Sequence, residues 1–157
     1  MTGDGNGWVV CAQGHRHWGL FGAAGILITD GVRVLLQHRA AWTHEGGTWA
    51  VPGGARDSHE DSLAAALREA AEETALDPAH VEPFGEWVDE HGGWSYTTVL
   101  ARALTDLTLI PANRESVEVG WWDISAVASL PLHAGFASAW PQLRTLVTQA
   151  KSSAEAP

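Results

Sequence analysis

Glu69, Glu72 and Glu73 stand close together in a chain of 157 residues. Carboxylates are hard oxygen donors, the kind that hold Mg²⁺ or Mn²⁺. An ion held there would offset negative charge on a phosphorus centre under attack by water, and that is the chemistry these residue types suggest. Arg68, immediately before them, brings a planar guanidinium able to tie carboxylates in place. The same cluster also reads as an ordinary solvated acidic face.

The element that must carry these glutamates is a helix over residues 62–75. Leu63, Ala66, Leu67, Ala70 and Thr74 recur at helical spacing, Asp61 fits the N-cap, and Pro78 marks a stop. With Leu63 set to zero and about 100° per residue, Glu72 falls near 180°, Glu69 near 240° and Glu73 near 280°. The expectation is that all three face away from the buried side. Like charges at this spacing repel, and the C-terminal end of a helix disfavours negative charge.

The surrounding chain reads as one domain. Residues 1–19 form an arm with a short strand at 8–11, residues 20–150 form the domain, and 151–157 a loose polar tail. Strands over 20–29 and 32–38 flank Asp30-Gly31, a hairpin turn. A short strand at 49–51 is stopped by Pro52-Gly53-Gly54. After the helix come strands at 81–88 and 95–103, joined through His91-Gly92-Gly93, then a strand at 117–123. A closing helix spans 136–149, with Pro141 in its first turns or kinking it. Strands on both sides of a helix make the fold class α/β.

Nineteen Asp+Glu against nine Lys+Arg give a net charge of −10, the wrong balance for a partner rich in phosphate such as a nucleic-acid polymer. Small phosphorylated ligands held through metal ions remain compatible with it. Cys11 is the single cysteine, so no intrachain disulfide forms. No basic flank with an apolar core opens the chain, and no apolar run approaches the ~20 residues of a membrane span. These features predict a cytoplasmic location and no membrane partner.

Gly54, Glu60 and the run Arg68-Glu69-Ala70-Ala71-Glu72-Glu73-Thr74-Ala75-Leu76 resemble the Nudix box, G-x5-E-x7-R-E-U-x-E-E-x-G-U with U aliphatic. The spacing matches over 23 residues, and Trp49-Ala50-Val51-Pro52-Gly53-Gly54 looks like the strand and turn that lead into it. Two positions depart: Ala75 stands where the family has glycine, and Ala70 is smaller than usual. The resemblance implies an α/β/α sandwich with a mixed sheet between helices. It also implies hydrolysis of a diphosphate linked to another group, with Mg²⁺ or Mn²⁺ as cofactor. By resemblance, Glu72, Glu73 and the Gly53 carbonyl are metal ligands. Glu69 binds metal or accepts the proton of the attacking water, Arg68 orients the glutamates, and Glu60 supports the loop or a bound cation. A further carboxylate is expected ahead of the strand at 117–123, with Glu115 the first choice and Glu118 the second; the plain alternative is a pair of exposed acids.

For substrate contacts, Arg39 at a strand end suits a phosphate or is an ordinary surface charge, and Trp49, Trp94, Tyr96, Trp121 and Trp122 suit a nucleobase or the core. Cys11, His15 and His17 include zinc-ligating types without an evident fourth ligand. The region after the box holds His91-Gly92 where ADP-ribose-type members often carry proline. The substrate expected is therefore a nucleoside triphosphate, in the manner of a MutT-like pyrophosphohydrolase. The alternatives are a sugar nucleotide, ADP-ribose, or binding without turnover. Homodimers are common in the family.

Overall fold

The computed structural model describes residues 3–43 and 45–155, so residues 156 and 157 of the expected tail lie outside the described residues. Strands β1 (Trp8–Val10) and β2 (Arg16–Trp18) pair as a small antiparallel hairpin, which turns the expected arm into ordered structure. Then follow β3 (Ala23–Thr29), β4 (Arg33–Arg39), β5 (Trp49–Ala50), β6 (Gly53–Ala55), α1 (Ser62–Thr74), β7 (Val81–Glu90), β8 (Ser95–Ala103), β9 (Ser116–Asp123) and α2 (Ala134–Glu155). The closing helix is longer than its apolar period suggested, and Pro141 lies inside it.

One mixed sheet runs β5-β4-β3-β8-β7, with β6 added to β3 and β9 to β4. β3 and β8 are parallel; the other pairs are antiparallel. Strand alternation sorts the core into two layers. Ala24, Ile26, Ile28, Leu35, Val99 and Ala101 meet Ala65, Ala66 and Ala70 of α1. Leu27, Val34, Leu36 and Leu100 point the other way, onto Phe136, Ala139, Trp140, Leu143 and Val147 of α2. The sheet between two helices is the expected sandwich.

α1 is capped as the sequence predicts, with Asp61 Oδ1 accepting from Ala64 N at 2.7 Å. Its buried face differs. Ala65, Ala66, Ala70, Glu73 and Thr74 are buried, while Leu63 is 37% exposed. On the wheel the buried face is turned by roughly 60° from the apolar stripe, towards the glutamates. The cause is what covers the end of the helix: Ala112 N donates to Glu73 O at 2.8 Å and Ile110 N to Thr74 O at 3.3 Å, so a crossing segment encloses that side.

The helix ends on Ala75 at φ 61°, ψ 25°, with its N–H donating to Ala71 O. A left-handed alanine costs about 1 kcal/mol relative to glycine. Ala75 is exposed, so its methyl contributes little packing. Ala75→Gly is expected to stabilise the protein by about 0.5–1 kcal/mol, read as a rise of roughly 2–4 °C in melting temperature. A lower melting temperature would contradict this account of the helix end.

Candidate active site

Arg68 sits at the centre of the site. Its Nε donates to Glu60 Oε2 at 2.7 Å and its Nη2 to Glu60 Oε1 at 2.9 Å, a two-pronged pair. Nη2 also donates to Ala55 O at 3.0 Å. Nη1 reaches Glu69 Oε1 at 3.0 Å and Glu72 Oε1 at 3.4 Å. One guanidinium thus joins the loop before α1 to two glutamates on it. Glu60 is held below its ordinary pKa chiefly by the Arg68 hydrogen bonds, and Arg68 is held further above its own by Glu60. The loop itself is strapped by the chain start: Gly5 N donates to Asp57 Oδ1 at 2.9 Å, and Ser58 N to Asp4 Oδ1 at 2.8 Å.

The glycines of β6 explain how the helix comes so near. A Cβ on Gly54 would lie 2.6 Å from Glu69 Cδ, so only glycine lets that carboxylate rest against the strand. A Cβ on Gly53 would lie 2.5 Å from Tyr96 Oη and 2.6 Å from Ala24 O.

The three glutamates then occupy three different environments. Glu72 is exposed. Glu69 is partly buried, and burial pushes its pKa up against the opposing pull of Arg68. Glu73 is 1% exposed, and neither of its oxygens has a hydrogen-bond partner. Burial raises its pKa well above the ordinary value, with the Glu69 charge adding to the effect. A buried carboxylate without partners is costly unless it is protonated or meets a cation. Hard carboxylate oxygens, two of them unpartnered, fit a divalent ion. Nudix hydrolases generally need such a metal.

Among the described residues, Asp57, His59 and Glu60 also lie close enough to share an ion, their ligand atoms within 4.8 Å of one another. Both Glu60 oxygens, however, are engaged by Arg68, and Asp57 Oδ1 by Gly5. Cys11, His15 and His17 form no such group there. Cys11 is buried, and the His17 ring lies flat on Trp94, centroids 4.1 Å apart.

Of the other predicted residues, Glu115 comes near enough for its charge to raise the pKa of Glu73. Glu118 pairs with His38 across β9 and β4, on the face of the sheet opposite α1. Arg39 ends β4, and the partly buried Tyr96, its pKa raised chiefly by burial, also feels the charges of Glu73, Arg39 and Glu69. Tyr96 therefore borders the glutamates, with Arg39 near it. Trp49 and Trp94 do not offer open faces: Trp49 stacks on His38 and meets the edge of Trp122, and Trp94 is covered by His17 while donating to Gly19 O at 3.1 Å. Packing takes up both rings. Trp121 Nε1 donates to Leu107 O, also within the fold. Gln37, buried near Glu73, is a residue that sequence reasoning misses; its one signal is an amide directly after the apolar run Val34-Leu35-Leu36.

The NUDIX domain family model matches residues 19–144. A relative named putative 8-oxo-dGTP diphosphatase 3, from Mycobacterium tuberculosis, is 49% identical over 92% of this chain and 71% of its own length. The crystal structure of a Nudix hydrolase from M. smegmatis, RenU, superposes with a TM-score of 0.85 at 46% identity, covering 92% of this chain and 96% of that one. The NUDIX domain of Shewanella oneidensis NrtR, solved with ADP ribose, matches at a TM-score of 0.59 and 25% identity, over 82% and 88% of the two chains.

Proposed function

Because the chain belongs to the Nudix hydrolase family, we propose that it is a metal-dependent pyrophosphohydrolase of nucleoside triphosphates, an oxidised purine nucleotide being the foremost candidate. The observation that carries the reading is Glu73: a buried carboxylate with both oxygens unpartnered, on a helix whose other glutamates are held by Arg68. The name of the M. tuberculosis relative supports the choice of substrate.

Glu72, Glu73 and the Gly53 carbonyl would hold Mg²⁺ or Mn²⁺, with Glu69 at the edge of the same site. When bound, the ion supplies charge neutralisation on the diphosphate oxygens. Glu69, its pKa raised by burial, accepts the proton of the attacking water. Arg68 keeps Glu69 and Glu72 aimed, and Glu60 keeps Arg68 aimed. Gly54 admits the Glu69 carboxylate. Glu115 is the further carboxylate facing the site, ahead of Glu118. Arg39 and Tyr96 border the substrate phosphates.

The test is product release from (d)NTPs, oxidised dGTP, ADP-ribose, sugar nucleotides and dinucleoside polyphosphates, with Mg²⁺ or Mn²⁺ and with EDTA. Metal-dependent turnover of oxidised dGTP above the other substrates is the expected result. Preference for ADP-ribose or a sugar nucleotide would replace the substrate while keeping the site. Silence across the panel from a folded, metal-binding protein would leave a nucleotide-binding module.

A further inference from the structure

β4 reads Val34, Leu35, Leu36 and then Gln37, and the glutamine, at 2% exposed, is as buried as the leucines. Strand alternation puts it on the side of Leu35, the side that faces α1. There it meets Glu73, the other fully buried polar side chain of comparable size. Gln37 Oε1 has no hydrogen-bond partner, and neither has either oxygen of Glu73. Ser116 Oγ, on β9 beside Glu115, is buried and unpartnered too.

Packing does not account for this glutamine. A leucine or methionine would fill a similar volume without an amide, and a buried amide left unmatched costs about 1–3 kcal/mol. The amide does have one use in this position. Its N–H group can donate to one lone pair of a neighbouring carboxylate while the other lone pairs are directed at a cation.

We propose that Gln37 is a positioning residue of the ion site: when an ion is bound, its side-chain N–H group donates to the Glu73 carboxylate, unpartnered in the metal-free chain, and holds it in one orientation, so that it acts through Glu73 rather than on the ion or the substrate. The inference rests on Glu73 as a metal ligand, proposed above.

The test is Mn²⁺ binding by the full-length, substrate-free protein, read from the electron paramagnetic resonance signal of the free ion. Gln37→Met and Gln37→Leu are compared with wild type, alone and on a Glu73→Gln background, with metal-free melting curves establishing that each variant folds. Either Gln37 substitution is expected to weaken Mn²⁺ binding by about 10- to 100-fold. On the Glu73→Gln background it should weaken binding no further, since a contact that acts through Glu73 has nothing left to act on. Wild-type affinity in a folded Gln37 variant would overturn the inference, as would an equal loss on the Glu73→Gln background. The failure of the parent reading looks different: Glu73→Gln alone would then bind Mn²⁺ like wild type.

Discussion

Glu73→Gln is expected to lower turnover at saturating substrate by at least about a hundredfold, while leaving the metal-free protein no less stable. The two effects share one cause. Glu73 is a carboxylate enclosed by protein, with no partner for either oxygen. Its folded-state pKa is raised from the ordinary 4.5, first by burial and then by Glu69. For a carboxyl group shifted upward, the folded state favours the proton. Its contribution to stability is therefore fully present below the ordinary value of 4.5 and is lost as pH rises through the raised folded value. In metal-free protein at a pH above the raised folded value, the neutral amide should relieve roughly 1–3 kcal/mol of unmatched charge, a rise of about 3–10 °C in melting temperature. Mg²⁺ should then raise the melting temperature of wild type, by more as the pH rises through that value, and leave the variant unmoved. Calorimetry with and without EDTA, alongside the hydrolysis assay, checks both halves. A variant that melts well below wild type without metal would show that Glu73 stabilises the fold in its own right.

Arg68→Lys should damage the protein more broadly. The guanidinium makes the paired contact to Glu60, bonds the Ala55 carbonyl, and reaches both Glu69 and Glu72. An ammonium has one charge centre and no fork, so it cannot meet these directions together. Glu60, with 7% of its side chain exposed, would be left as a poorly compensated buried charge. The expected loss is about 2–4 kcal/mol of stability, with turnover down at least tenfold as Glu69 and Glu72 lose their tether. Combining Arg68→Lys with Glu60→Gln should recover part of the stability and none of the turnover, since neutralising Glu60 removes the orphaned charge but does not restore the aim of the glutamates. Denaturant melts and steady-state rates on the single and double variants separate the two contributions. Full recovery of turnover in the double variant would place the role of Arg68 in the loop alone.

The lateral environment of these residues explains which parts of the site were readable in advance. Spacing along one helix is a local property, and so is a cap: Asp61 and the glycine turn into the box depend on residues only a few positions apart. The Asp30-Gly31 turn is local in the same way, and β3 and β4 lie within the apolar runs on either side of it, β3 beginning at Ala23 rather than residue 20. The tryptophans are the opposite case. A ring in a strand can face solvent, substrate or core, and Trp49 and Trp94 are committed to packing by His38 and His17, residues that no local pattern associates with them.

The acidic helix, the glycines ahead of it and the arginine among the glutamates are each legible from spacing within one segment. That the glutamates are unequal follows from packing between distant segments. On an isolated wheel all three face solvent; in the protein, the segment crossing at residues 110–112 and the side-chain-free surface of Gly54 turn the helix towards them. Leu63 is thereby left partly exposed and Glu73 enclosed against Gln37, a residue from a strand far away in the chain. Burial depends on what the rest of the chain brings to a surface, and the charge state and reactivity of a carboxylate depend on burial.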